Sequence, residues 1–267
     1  MRLHMDTLAY TNRLRGLPPE QKLLFACGTL LIALLGHPLV QAGVFLWMSG
    51  WIVAYARIPL KTYGGLLSVI SAFLMMSLPA LCVSWMPARQ MPAAVADVWA
   101  GIRLGAYTIY LSHTGVAQAL QVALRAAAAV SCLSFVLLTV PFAELLQVMR
   151  RMRVPPLLTE LLLVMYRFVF VLLETAEQIW IAQVSRGGYR GFRQGMSDLG
   201  RLIVKLFVRT NERVQQLATG LSARGFTGQL QVVSAVGYQP SRRYAVEAMA
   251  GWLLLLSLEW WLRTHGG

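Results

Sequence analysis

The sequence predicts an all-α integral membrane protein with about five transmembrane helices and a cytoplasmic module of long amphipathic helices. Of its 267 residues, 57% are hydrophobic and only 13% are charged, whereas soluble domains contain about 25% charged residues. The 24 Lys and Arg outnumber the 11 Asp and Glu, which gives a net charge of +13. Basic residues concentrate in the cytoplasmic loops of membrane proteins. We therefore expect the partner of this positive charge to be the lipid bilayer and not a nucleic acid.

Enzyme and metal-site motifs are missing from the sequence. Cys27, Cys82 and Cys132 each lie in an apolar run, and an odd number without CxxC spacing predicts neither a disulfide framework nor a zinc site. There is no P-loop and no HExxH motif. Glu144 and Glu160 form no obvious acid/base pair. We therefore predict that this chain is no enzyme and binds no cofactor or metal.

Four apolar runs predict an N-terminal membrane domain over residues 1–140. Their predicted bounds are 23–36, 39–56, 64–86 and 116–140. The first two are at the short end of the about 20 residues that a span needs, and the joint at Gly36-His37-Pro38 predicts a tight hairpin. Basic residues before the first run, after the second and after the fourth place the N-terminus on the cytoplasmic side.

Arg125 interrupts the fourth run, and an arginine inside a membrane faces protein or an aqueous cavity. Two alternatives of other classes follow from it. One is an intramembrane enzyme that uses Arg125, Glu144 and Glu160 on a lipid, although no nucleophile–base constellation supports it. The other is a secondary transporter or channel with Arg125 in its pathway, whose signature would be substrate flux in liposomes that contain no other subunit.

Residues 157–173 resemble a further span by hydropathy. If they crossed the membrane, ten basic residues between Glu174 and Arg243 would lie outside, against the charge rule. Glu160 and Arg167, at up to about +3 kcal/mol each, nearly cancel about twelve apolar residues at roughly −0.5 kcal/mol each. We therefore predict one long helix over 156–184 on the cytoplasmic face. The alternative, that 157–173 spans, stays open.

The remaining segments are a cytoplasmic module of long helices over 141–228 and a linker with a C-terminal span over 229–267. The final span is predicted at 245–262. Within the module, a second helix over 196–222 has apolar residues spaced by three and four, which is typical of an amphipathic helix. Its other face carries a basic ridge with i, i+4 spacing. The ridge consists of Arg201, Lys205, Arg209 and Arg213.

Both helices of the module end with a small residue, an arginine and a glycine, at Ser185-Arg186-Gly187 and at Ala223-Arg224-Gly225. A glycine past a helix end adopts a left-handed turn, and an arginine in the last turn complements the helix dipole. These structural roles are sufficient to explain each motif when it is considered by itself. The pairing indicates docking, because the guanidinium fork suits bidentate contact with carboxylates and two ends suit a dimeric partner. Arg190 is an alternative to Arg186 as the first docking arginine.

Three stretches resemble the transmembrane T component of energy-coupling factor transporters, and within that group the CbiQ family of cobalt uptake. The first is Met5–Tyr10 leading to Lys22. The second includes Leu138–Phe142, Val154-Pro155 and Met165–Phe168. The third includes Ser185–Gly187, Arg209–Arg213 and Ala223–Gly228. Ser185 stands where the family's first signature usually has alanine, and it is likewise small.

The resemblance implies a non-catalytic coupling subunit of an ABC importer in the bacterial inner membrane. Such a subunit transmits motion from two CbiO-like ATPases, which bind ATP and Mg, to a CbiM-like substrate-binding membrane subunit; a small CbiN-like subunit can accompany them. The implied cargo is cobalt, with nickel or biotin systems as the alternative. The implied ATPase-coupling residues are Ser185, Arg186, Gly187, Ala223, Arg224 and Gly225. The supporting residues are Pro141, Pro155, Arg167, Arg209 and Arg213.

Overall fold

The computed structural model describes residues 8–87, 98–104, 107–225, 238 and 241–265. Met5–Thr7 and Phe226–Gly228 of the family-like stretches, and most of the predicted linker after 228, lie outside the described residues. The chain divides into a first unit, Met1–Phe142 with Val236–Gly267, and a second unit, Ala143–Ala235. The C-terminal helix belongs to the first unit, and the predicted boundaries at 140 and 228 stay predictions.

The described elements are mainly long helices. The helices of more than one turn are α1 (Pro19–Leu35), α2 (Pro38–Gly50, continued by a π-helical turn at Trp51–Tyr55), α3 (Leu60–Cys82), α4 (His113–Thr139), α5 (Phe142–Arg151), α6 (Pro156–Ser185), α7 (Phe192–Ala223) and α8 (Arg242–His265). A short 3₁₀ helix, Arg13–Gly16, precedes α1. The predicted hairpin is confirmed, since only Gly36 and His37 separate α1 from α2. The His37 amide donates to Glu259 Oε2 at 2.7 Å, which ties this hairpin to α8.

A small antiparallel sheet follows α3, where we expected the third span to continue to residue 86. The helix ends at Cys82, and β1 (Val83–Pro87), β2 (Val98–Leu104) and β3 (Tyr107–Ser112) follow. The strand order is β1-β3-β2, with Val83 opposite Leu111 and Leu104 opposite Tyr107. Val83 and Trp85 have high strand propensity, and the pairing with β3 supplies backbone hydrogen bonds that a longer helix would have made internally.

The core of the first unit is an aromatic cluster. The ring centroid of Phe25 lies 4.8 Å from that of Trp51, 5.6 Å from that of Phe135 and 6.4 Å from that of Trp252. The indole nitrogen of Trp252 donates to Thr29 Oγ1 at 3.0 Å, so this buried polar end is satisfied. The cluster draws on α1, α2, α4 and α8. It holds these four helices together by apolar contact.

The C-terminal end of α4 is capped by two side chains from the start of the chain. Asn12 Nδ2 lies 3.3 Å from the carbonyl oxygens of both Leu138 and Thr139. Lys22 Nζ donates to the same Thr139 oxygen at 3.2 Å and is buried. The last carbonyls of a helix lack internal partners, and a cation is favourable at this negative end. This capping fixes the position of Thr139, which is followed by Val140 and the buried Pro141.

The second unit has little core. Within α6 only Thr159, Glu160 and Ile179 are buried, and within α7 only Asp198. At the start of the unit, Arg150 Nε donates to Thr159 Oγ1 at 2.9 Å and so ties α5 to α6. The apolar side chains of α6 and α7 are mostly exposed in the isolated chain.

The predicted all-α membrane fold with about five spans is confirmed, apart from the small three-stranded sheet. Five helices in the described residues are long and apolar enough to cross a membrane: Pro38–Tyr55, Leu60–Ala80, Thr114–Thr139, Pro156–Ser185 and Arg242–Thr264. The set differs from the predicted one in two places. With 17 residues, α1 is at the lower limit for a span, whereas α6 meets both criteria although we predicted it on the cytoplasmic face. That placement stays a prediction from the distribution of charge.

Candidate functional site

The candidate site consists of the two long helices of the predicted cytoplasmic module, which are the predicted coupling helices. They are α6, with 30 residues, and α7, with 32, which correspond to lengths of about 45 and 48 Å at about 1.5 Å per residue. Turn residues 186–191 join them.

The first helix end, at the C-terminus of α6, is closed by a Schellman motif. The Gly188 amide donates to the Gln183 carbonyl at 2.9 Å, and the Gly187 amide donates to the Val184 carbonyl at 3.0 Å. Gly187 has a φ of +80°, which disfavours any residue with a Cβ. Arg186 is the helix-capping residue, with φ −91° and ψ 14°, and it is exposed.

The second helix end, at the C-terminus of α7, has the same backbone geometry at its arginine and its glycine. Arg224 caps the helix with φ −91° and ψ 8°, and Gly225 follows with a φ of +71°. The Gly225 amide donates to the Ser222 carbonyl at 3.1 Å, as the Gly187 amide does to Val184. Arg224 is exposed too. The two arginines therefore occupy the same backbone position in the same kind of turn.

Asp198 fixes the turn between the helices, and sequence reasoning missed this residue. Its buried carboxylate accepts a hydrogen bond from the Tyr189 amide at 2.9 Å and lies 3.3 Å from Arg201 Nη1. Gln183 donates to the Asp198 carbonyl at 3.1 Å and accepts from the Tyr189 hydroxyl at 2.8 Å. The sequence signal that could have pointed to Asp198 is that it is the single aspartate in a segment rich in arginine. These bonds set the direction in which the chain leaves Arg186.

Arg190, the alternative docking arginine, lies in this turn and not at a helix end. A Cβ placed on Gly187 would lie 3.5 Å from the Arg190 guanidinium carbon, so the Arg190 side chain covers the turn that closes α6. It precedes Gly191, whose φ is +94°. Arg186 therefore matches Arg224, since both cap a helix. Arg190 does not match them, because it lies within the turn.

An open cleft of about 410 Å³ lies between α6 and α7. Its walls carry charges of both signs, since Glu174 from α6 and Glu212 from α7 line it together with Arg209 and Arg213. A second cleft, of about 680 Å³, extends from Gln178 to Arg186 and shares Arg209. Two of the predicted supporting residues, Arg209 and Arg213, thus line a cleft between the two helices, and Arg209 also lines the cleft that reaches Arg186.

The other supporting residues are dispersed. Pro155 precedes α6 at its N-terminal cap, Arg167 is an exposed residue on the same helix, and Pro141 is buried in the first unit. Glu144 and Glu160, weighed for catalysis, are both buried in the second unit. Among the described residues, no group of three or more His, Cys, Asp or Glu could hold a metal ion.

Comparison with known proteins places both helix ends inside a recognised family. The chain matches the family model described as CbiQ, cobalt transport protein, over residues 11–233. It is 30% identical to the cobalt transport protein CbiQ of Salmonella typhimurium over 224 residues, which cover 84% of this chain and 97% of that protein. The cobalt transport protein CbiQ of Rhodobacter capsulatus is 32% identical over 231 residues, with 86% and 87% covered.

A further relative joins two proteins in one polypeptide. The putative fused cobalt transport protein CbiMQ of Methanocorpusculum labreanum is 26% identical over 245 residues. The aligned region covers 88% of this chain but 38% of the fused protein. The rest of that polypeptide is therefore additional to the part that resembles this chain.

Proposed function

Because this chain belongs to the CbiQ family of cobalt transport proteins, we propose that it is the coupling subunit of an ATP-driven cobalt importer. The chain is a multi-pass membrane component of cobalt transport. In the proposed role it hydrolyses no ATP itself. It connects two ATPase subunits with a separate substrate-binding membrane subunit and lies in the cytoplasmic membrane with its N-terminus inside.

The observation that carries this proposal is the matched pair of helix ends. Arg186 and Arg224 share backbone angles, exposure and a following glycine of positive φ. A dimeric partner with two equivalent acidic grooves needs two such ends. Each guanidinium can make two parallel hydrogen bonds to a carboxylate in such a groove. Its charge also complements the negative end of its own helix.

The proposed transmission is mechanical. ATP-driven closure of the ATPase dimer displaces the two helix ends. The turn held by Asp198 carries the displacement between α6 and α7, because its hydrogen bonds join Tyr189 to α7 and Gln183 to Asp198. The long α6 then moves against the substrate-binding subunit. The existence of a fused CbiMQ relative supports a CbiM-type protein as that neighbour.

The test is a double charge reversal, Arg186→Glu with Arg224→Glu, in the full complex expressed together. We expect the tagged chain to insert in the membrane but to lose its ATPase subunits on purification, and cobalt uptake to cease, because carboxylates would then face the acidic grooves.

The matched control is Lys61→Glu with Arg242→Glu. It makes the same change in charge at two exposed residues of the first unit, and we expect it to leave association with the ATPases unchanged. Normal ATPase association and uptake in the double variant of the helix ends would contradict the proposed coupling role.

A further inference from the structure

A polar stripe runs along one face of the membrane helix α4. Polar residues occur there at intervals of four, three and four residues, which places them on one side of a helix. The stripe consists of Thr114, Gln118, Gln121 and Arg125. Apart from these four, residues 114–130 are Ala, Val, Leu or Gly. The polar stripe is therefore specific to one face of an otherwise apolar segment.

Arg125 lies deep in the span. At about 1.5 Å per residue it is about 18 Å along the axis from the first residue of α4 and about 21 Å from the last. The bilayer's hydrocarbon core is about 30 Å thick, so the arginine is near the midplane and far from both headgroup layers. A charge at that depth faces protein or water.

The residues that the structure describes leave the arginine uncovered. Arg125 and Gln118 are exposed and Gln121 is half-buried. In the described part of the chain, none of these three side chains makes a hydrogen bond or an ion pair. The same face is covered further along, since Cys132, two turns beyond Arg125, is 1% exposed. On this face of α4, the chain's own packing therefore ends where the polar stripe begins, although Ala119 on another face is buried.

A protein that covers Arg125 in the membrane needs a negative charge to neutralise it. A second copy of this chain docked by a two-fold axis would present the same patch to itself, so one Arg125 would approach the other in a medium where like charges repel strongly. A helix with a carboxylate would instead neutralise Arg125. Its polar side chains could also exchange hydrogen bonds with Gln118 and Gln121, as polar residues do between membrane helices.

We propose that the polar stripe of α4 is the docking surface for a transmembrane helix of the substrate-binding subunit, and that this helix presents an Asp or Glu to Arg125. The identity of the partner rests on the proposed function. The surface itself rests on the exposure, depth and alignment of the polar stripe.

The experiment is co-purification from cells that express the full complex, with the tag on this chain. Arg125→Leu removes the charge and leaves a residue that the bilayer accepts. We expect it to retain at least ten-fold less substrate-binding subunit than the wild type while retaining its ATPases. Arg125→Lys, which keeps the charge, should restore much of the association. The matched control is Leu133→Ala, an exposed residue of the same helix outside the polar stripe.

The outcomes separate this inference from the proposed function. Wild-type retention of the substrate-binding subunit by Arg125→Leu would overturn the docking surface, whether transport then continued or failed. Loss of self-association between two differently tagged copies, with the substrate-binding subunit retained, would overturn it in favour of a second copy.

If the wild-type chain bound the membrane subunit but no ATPase, the coupling role would fail, and the Arg125 comparison would still decide the docking surface. If Arg125→Leu failed to insert, Gln118→Leu with Gln121→Leu would decide it in the same assay.

Discussion

The two units of this chain are built from similar long apolar helices, yet they bury those helices differently. The first unit has an aromatic core in which Phe135 and Ile52 are at most 1% exposed, although its helix α3 leaves apolar residues such as Met76 open, at 88% exposure. In the second unit, Phe207 is 73% exposed and Leu157 is 68% exposed. A monomeric protein rarely leaves such apolar surface open unless a partner or membrane covers it. The first unit therefore holds itself together, whereas the second is held locally by turns and caps and needs other surfaces to complete it.

The largest expected effect comes from deleting a core ring in the first unit. We expect Phe135→Ala to lower the free energy of unfolding by about 3–5 kcal/mol, because the ring is buried against Phe25 and Trp51. Phe207→Ala removes the same atoms from an exposed site and should change it by less than about 0.5 kcal/mol. Thermal unfolding of both variants in detergent measures the difference. Equal losses would mean that the second unit has a core of its own.

A smaller effect is expected at the turn between the coupling helices. Asp198→Ala leaves the Tyr189 amide without its acceptor, at a cost of about 1–3 kcal/mol for a buried donor. Hydrogen exchange at Tyr189 should accelerate, and exchange near Gly225 should not. Asp198→Asn keeps an acceptor oxygen and should stay close to the wild type. If exchange at Tyr189 were the same in all three proteins, Asp198 would not hold the turn.

The smallest of these effects is expected at the two glycines. A left-handed backbone costs a residue with a Cβ about 1–2 kcal/mol, so Gly187→Val and Gly225→Val should each loosen one helix end. Both should weaken ATPase binding but leave the melting temperature of the first unit unchanged. Gly187→Asn and Gly225→Asn are the controls, because asparagine tolerates this conformation. Unaltered binding in both valine variants would show that the turns do not present the arginines.

Much of this arrangement could be predicted from local signals. Gly36-His37-Pro38 predicted a hairpin, and a small residue, Arg and Gly predicted each helix end, because these features depend on residues close in sequence. Features that depend on distant residues were missed. Strand β1 pairs with β3 across the sheet, and Asp198 reaches back nine residues to Tyr189. The uncovered face of Arg125 was also missed, because hydropathy locates a span but does not tell which side its neighbours cover.

The most direct test of the central claim is the affinity of the ATPase subunits for four proteins: wild type, Arg186→Glu, Arg224→Glu and the double variant. If the two helix ends are equivalent contacts, each single variant should lower the affinity for the ATPase subunits by a similar factor. The double variant should abolish ATPase binding. A normal affinity for Arg186→Glu beside a lost affinity for Arg224→Glu would contradict the pairing. Arg190→Glu, measured beside them, should bind like the wild type if Arg186 is the first docking arginine.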